Sequence, residues 1–577
     1  MRTAENVGDW EPPHDIRDPR LSALISKWFN ECKMNHPECD PRVVEKSPGF
    51  FPKRLLDLSS TNENGTIKLV TCIPGDKMLA ASYATVSHCW GKAKTLKLLS
   101  NNIETLKNDG IDIDSLPISY KEAIHFATAL NIRYLWIDSL CIIQDDPQDW
   151  FSEASVMDKV YLGCDICIAL AGAAENSEPS FARRSHSQIR PIRITAEWDG
   201  SHAKDYTIRD GFMSRDYTSS VLAERAWVVQ ESVMSHRTLS FGKIQAWYQC
   251  LENAACETYP GWIPKVLNPS SDHSNVLSKS DDLWQHRHKT WESTVERYSD
   301  ARLTYTSDRL IAFRGITNFY SSRLEEQALA GLWRSQLPFQ LLWRTWTSNT
   351  LDWREARLDN DGPIRRPRPL RAPTWSWLSI EGQVQFYHTY TLGLAEEGSV
   401  TALCTVQHVQ ADESLRDGQS YVIEGRITLQ GALHPIRLGN NGSLAQPLTA
   451  DANGTELEHI SASPSVQEHF GREGIPYLSA QWEPDEEGEQ GGLEVFQWNK
   501  HTGPSDSTNK KIVEHVNAFC FPILEKRQEG FPLTAGLILE DSKMQPGLYE
   551  RIGLYTTIGE EEKSYFAVSS LKLVTIV

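Results

Sequence analysis

Between Tyr83 and Ala173 three short apolar, β-branched runs alternate with two stretches of helical periodicity, and this order leaves few architectures open. SYATVSHCWG (82–91) reads as a strand that stops at Gly91, because β-branched and aromatic residues run into a turn-forming glycine. ISYKEAIHFATALN follows Pro117 with Tyr120, Ala123, Ile124, Ala127 and Leu130 on one face, a helix with a proline near its start. RYLWIDSLCII then reads as a buried strand over 134–142. DPQDWFSEASVMDKVYLG sets Trp150, Ala154, Met157 and Tyr161 on one helical stripe, and DICIALAGA is strand-like over 165–171. Strand, helix, strand, helix, strand predicts a parallel sheet flanked by helices. Ligands of open α/β sheets bind beyond the carboxyl ends of the strands, so Ser87 to Gly91, Asp138 to Cys141 and the segment after Gly172 are expected at that edge. Farther on, ERAWVVQESVMSHRTLSF places Trp227 and Glu231 four apart, on one face of a helix.

A chain of 577 residues needs more than one core. We expect an N-terminal helical extension over 1–80, an α/β core over 81–245, a helical Trp-rich middle over 246–372 and a β-rich module over 373–577. The first carries LSALISKWFNECKMN, with Leu21, Leu24, Ile25, Trp28 and Phe29 on one stripe that needs a covering surface. The third holds the apolar run LAGLWRSQLPFQLLWRTW, read as core or interdomain packing. In the last, short alternating strands are broken by Gly, Pro and Asn, and the stretch Asp485 to Gly492 reads as a mobile acidic loop. Arg365, Arg366, Arg368 and Arg371, interleaved with prolines, read as an extended solvated connector, with a localisation or docking signal as the alternative. A net charge of -18 repels phosphate backbones, so no nucleic acid partner is expected. No run of apolar residues is long enough to span a membrane, and the start has neither a secretory nor a transit signature. Eleven cysteines without framework spacing fit reduced thiols, and the expected location is cytoplasmic.

Four stretches together resemble the fungal heterokaryon incompatibility (HET) domain family: YATVSHCWG at 83–91, YLWIDSLCIIQDDPQDWFSEASVMDKVY at 134–161, the following DICIALAGA, and RAWVVQESVMSHRTLSF at 225–241. FPKRLLDL before the core, and YSDARLTYTSDRLIAFRGI, APTWSWLSIEG and YERIGLYTT after it, resemble the wider architecture of such proteins. Ala226 departs from the glycine common at that position. The resemblance implies vegetative incompatibility, in which fusion of unlike fungal cells triggers death, with a protein partner or self-association. The family is distantly similar to TIR domains, some of which cleave NAD with a glutamate four residues after a tryptophan. The implied fold is therefore α/β, a parallel-sheet TIR-like HET core with helical N-terminal and middle regions and a β-rich C-terminal module. Trp227 and Glu231 match the spacing of the tryptophan and glutamate.

Loss of nicotinamide leaves positive charge on the ribose, which a carboxylate such as Glu231 stabilises. The alternative for Glu231 is a structural salt bridge to Arg225 or Arg237, and for Trp227 core packing in place of stacking on a ligand. Ser87, His88 and Trp90 are candidate ligand contacts, with turn capping as the rival reading for the first two. His88 and Cys89 suggest a thiol protease, but adjacent residues of a strand point to opposite faces and do not pair with each other. Asp138, inside an apolar run, must bond to backbone or face the ligand edge. Asp145, Asp146 and Asp149 suit a helix N-terminus better than a metal. Cys32, His36 and Cys39 share a helical face if the helix continues and suit zinc, with a fourth ligand unidentified, against a buried helix face. No Walker loop or HExxH is present. Three functions remain open: a death effector that hydrolyses NAD at its HET core, a non-catalytic oligomerising signalling module, and an enzyme of small-molecule metabolism on the same fold.

Overall fold

A computed structural model describes residues 13, 15–40, 50–61, 65–73, 82–92, 95–180, 192–196, 204–208, 220–263, 284–345, 366–386, 400–416, 420–438, 444–447, 481–484, 515–528, 531–558 and 571–577. The chain divides into two compact units, residues 1–294 with 301–324, and 295–300 with 325–577.

The first unit is organised around a ten-stranded sheet. Its strands are β1 (Arg54–Asp57), β2 (Thr66–Thr71), β3 (Tyr83–Ser87), β4 (Ile111–Asp112), β5 (Tyr134–Trp136) and β6 (Ile166–Ala169). Beyond a separate antiparallel hairpin, β7 (Ile192–Ala196) with β8 (Lys204–Ile208), come β9 (Arg237–Phe241), β10 (Ala246–Cys250), β11 (Ala254–Cys256) and β12 (Tyr259–Trp262). The order across the sheet is β12-β11-β10-β9-β6-β3-β5-β1-β2-β4. The strands at its centre, β5, β3, β6 and β9, run parallel, with Ala84 opposite Leu135 on one side and Ile166 on the other. These are the parallel neighbours that the alternation of strands and helices predicts. Every residue of β3, β5 and β6 is buried, which is why they read as continuous apolar runs without alternation.

The helices of this unit are α1 (Pro19–Asn35), α2 (Ile103–Asn108), α3 (Ile118–Ala129), α4 (Asp138–Cys141), α5 (Pro147–Ala154), α6 (Met157–Gly163), α7 (Ala226–Met234) and α9 (Arg309–Leu324), with α8 (Trp284–Asp300) divided between the units. The α1 stripe Leu21, Leu24, Ile25, Trp28 and Phe29 is buried, and the Trp28 indole donates to the Pro260 carbonyl at 2.8 Å. Its N-terminus is capped by Asp18, which accepts from the Arg20 amide at 2.9 Å.

Three expectations need correction. The strand expected over 134–142 ends at Trp136, and Asp138 opens α4. The run is apolar enough for either, but the Cys141 amide donates to the Ile137 carbonyl at 2.8 Å and the Ile142 amide to the Asp138 carbonyl at 3.0 Å, the backbone bonds of a helical turn. The sheet also overruns the core expected at 81–245 on both sides: β1 and β2 precede it and β10 to β12 follow. Finally, Arg366 and Arg371 of the arginine-rich stretch are not solvated, although Arg368 is exposed and pairs with Glu550 at 3.3 Å. Arg366 is buried and donates to the Arg551 carbonyl at 2.8 Å, while Arg371 donates to the carbonyls of Leu378 and Ile380 at 2.8 and 2.7 Å and pairs with Glu381. Packing of these cations against carbonyl oxygens overrides the surface role their charge suggests. Arg365 and the acidic stretch 485–492 lie outside the described residues.

The second unit is β-rich. Two short hairpins, β13 (Ala328–Leu329) with β14 (Leu332–Trp333) and β15 (Trp343–Thr345) with β16 (Val384–Phe386), accompany a larger sheet. That sheet comprises β17 (Val400–Ala402), β18 (Thr405–Arg416), β19 (Ser420–Gly431), β20 (His434–Leu438), β21 (Leu444–Pro447), β22 (Gln481–Pro484), β23 (His515–Gln528), β24 (Phe531–Asp541), β25 (Tyr549–Ile558) and β26 (Lys572–Ile576). Its order is β18-β19-β26-β25-β24-β23-β20-β21, with β17 on β23 and β22 on β25. Buried Trp343, Trp375 and Trp377 anchor this unit, and the buried Arg551 guanidinium stacks over the Trp343 ring at 3.5 Å. Among the described residues no helix is long and apolar enough to cross a membrane.

Candidate functional site

At the carboxyl end of β3 the chain turns through Ser87, His88, Cys89, Trp90 and Gly91. Gly91 has φ +68°, and a Cβ there would lie 2.6 Å from Glu175 Cβ and 3.0 Å from its Cα, so both backbone conformation and space demand glycine. The turn presents His88 and Trp90 to Asp138 at the start of α4. The Trp90 indole donates to Asp138 Oδ2 at 2.7 Å, and His88 Nε2 is 3.6 Å from Asp138 Oδ1. Asp138 thus meets both conditions of the sequence reading: it bonds to backbone at Ser139 and keeps a side chain that is 26% exposed at the ligand edge. The Lys97 ammonium sits over the Trp90 ring, 4.7 Å from its centroid.

Behind these residues lies a buried polar network. The Tyr120 hydroxyl meets His88 Nε2 at 2.9 Å and Ser139 Oγ at 2.7 Å, and receives the Asn176 amide at 3.0 Å. Burial lowers the His88 pKa against the opposing pull of Asp138, so the ring is neutral near pH 7. Arg225, just before α7, donates to the His88 carbonyl. Ser139 and Asn176 fall in segments expected at that edge, whereas Tyr120 escaped the sequence reading: it fell on a helical stripe indistinguishable from core, and only its hydroxyl hinted otherwise.

Glu231 enters from α7. That helix is locked on both sides by Gln230, whose amide, turned to satisfy both partners, donates to the Ala312 carbonyl at 3.1 Å and accepts from the Asp158 amide at 2.9 Å. The Glu231 carboxyl is buried, and its Oε2 has no hydrogen-bonding partner. Ser87 Oγ is likewise buried without one. Burial pushes the Glu231 pKa up to about 7, with the Ser87 hydroxyl and the Arg225 charge pulling down and Asp138 pushing further up. Neither Arg225 nor Arg237 forms an ion pair with Glu231 among the described contacts; the first bonds to His88 and the second to Cys32 and Cys39. Ser87, His88, Trp90, Asp138 and Glu231 therefore gather around one strand end. Trp227 is half-buried, with its side chain directed to Asp308. Cys89 packs with Ala169, Ala171, Leu222 and Val228, and burial raises its pKa, so it is a protonated thiol turned away from the His88 ring.

The acids after Ile143 are accounted for by protein partners. Asp146 caps α5, accepting from the amides of Gln148 and Asp149 at 2.9 and 3.3 Å. Asp145 accepts from Ser100, and Asp149 pairs with Lys53 and with buried Arg54.

Elsewhere in the first unit α1 stops at Asn35, before His36, so Cys32, His36 and Cys39 do not share one continuous helix. Pro37 breaks it, and a 3-10 turn over Pro37–Cys39 brings Cys39 back. The three residues still converge, and Cys250 of β10 joins them: one ligand atom from each lies within 4.8 Å of all the others.

Residues 83–231 match the model of the family described as Heterokaryon incompatibility protein (HET). The match starts with β3 and ends on Glu231, so it encloses the site, and it supports a role related to heterokaryon incompatibility. No curated protein and no solved structure gives a significant match.

Proposed function

We propose that this HET-domain chain is a cell-death effector of fungal vegetative incompatibility and that its HET core hydrolyses NAD, with Glu231 as the catalytic carboxylate. One observation carries the reading: Glu231 and Ser87 are buried beside each other at the carboxyl edge of parallel strands, yet neither Glu231 Oε2 nor Ser87 Oγ makes a well-formed hydrogen bond. Each orphaned group costs roughly 1–3 kcal/mol, a cost that a bound ligand removes. Ribose hydroxyls supply the donors and acceptors that this pair lacks. In the reaction the bond from ribose C1′ to nicotinamide N1 breaks and its electron pair leaves with nicotinamide. Water adds to C1′, releasing ADP-ribose, nicotinamide and a proton. Positive charge accumulates on the ribose before water arrives, and a carboxylate in a desolvated site opposes it strongly. That same charge would draw the Glu231 pKa down from about 7 and hold the group ionised at the moment it is needed. Asp138, oriented by Trp90 and Ser139, adds a second negative group at the mouth of the site.

The test is release of nicotinamide from NAD by the purified full-length chain, followed by chromatography. Glu231→Gln is expected to lower the rate by about 10²–10³-fold, and Cys89→Ser to leave it within twofold. Toxicity on induction in a fungal host should follow the same order. Activity and toxicity that survive Glu231→Gln but disappear in a folded Cys89→Ser variant would overturn the glutamate mechanism in favour of a thiol.

A further inference from the structure

We propose that Cys32, His36, Cys39 and Cys250 bind one zinc ion in a closed structural site that fastens the N-terminal helix to the sheet. A tetrahedral zinc about 2.3 Å from thiolate sulfurs sets ligand atoms about 3.8 Å apart. The four side chains offer one atom each within 4.8 Å of one another, so small adjustments on binding bring them to that spacing. Three soft thiols with one imidazole is a donor set that zinc favours, and four protein ligands leave no open position, which marks a structural rather than a catalytic site.

The surroundings fit an anionic metal centre. Zinc with three thiolates and a neutral imidazole carries one net negative charge, and one buried cation lies against it. Arg237 is 1% exposed and forms no ion pair with any carboxylate among the described residues. Its guanidinium instead donates to Cys32 Sγ at 3.2 Å and to the Cys39 carbonyl at 2.6 Å. An uncompensated charge buried among neutral thiols would be costly, and a thiolate-rich metal centre supplies the balance. His36 is oriented as a ligand would be. Its Nδ1 faces Cys250 Sγ at 3.3 Å, while Nε2 meets the Asn253 side-chain amide at 3.0 Å. Ligation through Nδ1 leaves the proton on Nε2; Asn253 Nδ2 faces that nitrogen at 3.0 Å, and turning the amide over would present its oxygen as the acceptor, an outer partner of the kind that fixes a metal-bound histidine. The Trp262 ring packs against the imidazole, with centroids 4.7 Å apart.

Two different parts of the chain contribute: α1 and the turn after it, and β10, 214 residues beyond His36. The ion therefore closes a long loop and joins the N-terminal segment to β10, which lies beyond the HET match and pairs with β9. This inference is independent of the NAD reading.

Full-length protein purified without chelators should carry about one zinc per chain by mass spectrometry of the metal, and Cys250→Ser should carry less than about one fifth of that. Titration of the wild-type chain with a mercurial should release the zinc in step with thiol modification, a measurement that does not require the variant to fold. Cobalt substituted for zinc should show the absorption of a tetrahedral thiolate site, and that signal should weaken in Cys250→Ser. Wild-type protein without zinc, a Cys250→Ser variant that retains full stoichiometry, or a disulfide between any two of the three cysteines in freshly isolated protein would each overturn the proposal.

Discussion

Replacing Glu231 by glutamine keeps the shape of the side chain and removes a charge that the fold holds at a cost. The carboxyl moves from an ordinary 4.5 in the unfolded chain to about 7 in the native protein, chiefly through burial. Between those values the native state binds the extra proton, so stability falls as pH rises from 4.5 towards 7, and the full penalty applies above 7. At 1.36 kcal/mol per unit the shift from 4.5 to about 7 corresponds to about 3 kcal/mol. The amide brings a new donor into a partly dry site at a cost of about 1 kcal/mol. Glu231→Gln should therefore stabilise the first unit by about 2 kcal/mol at pH 8, and most of the gain should vanish by pH 5. Urea unfolding of parent and variant at pH 5, 6, 7 and 8, followed by tryptophan fluorescence, measures the difference directly. A variant less stable than the parent at pH 8 would mean that the carboxylate is held by a favourable ion pair. The case for a site kept at the expense of stability would then fail.

Three further outcomes follow from the geometry, beside the NAD and zinc measurements. Gly91→Ala should destabilise by about 2 kcal/mol or more in denaturant unfolding, because φ is +68° and the new methyl meets Glu175 Cβ at 2.6 Å; a loss below about 0.5 kcal/mol would contradict the turn described. Asp149→Asn breaks a buried pair with Arg54 and should cost about 3–5 kcal/mol. Burial opposes ionisation of Asp149, but Lys53, the Ile143 amide and Arg54 together hold its pKa below the ordinary value. That contribution is therefore present above the ordinary carboxylate range and is lost as pH falls through the lowered pKa, so parent and variant should converge in acid unfolding. Tyr120→Phe should lower NAD turnover mainly through kcat, since its hydroxyl touches His88 and Ser139 and orients the edge without reaching it; unchanged kcat would remove Tyr120 from that role.

The parallel centre of the sheet was legible because β3, β5 and β6 are buried on both faces and helices of clear period separate them. Ser87, His88, Trp90 and Asp138 could be placed at one edge from strand direction alone. Other features depend on partners distant in the chain. Whether Asp138 continues a strand or starts a helix shows only in backbone bonds, from the Cys141 amide to the Ile137 carbonyl and from the Ile142 amide to the Asp138 carbonyl, which periodicity does not register. Arg366 and Arg371 look like surface cations until the carbonyls that receive them are known. Cys250 sits in AWYQC, an unremarkable apolar strand, and only its position in the fold brings it beside His36. The partnerless state of Glu231 Oε2 could not be read either, since Arg225 and Arg237 were equally available in sequence and both are engaged elsewhere.

The family match opens at residue 83 and closes at 231, yet β1 pairs with β5 on one flank and β9 with β6 on the other. A fragment cut to those limits would carry a three-stranded ribbon with rows of bare amides and carbonyls along both flanks, each a template for another chain. Such a fragment is expected to associate through its strands, and toxicity measured with it would report this stickiness together with any native signal. Expression boundaries set before Arg54 and after Trp262 keep both flanks paired with the neighbours the full chain provides.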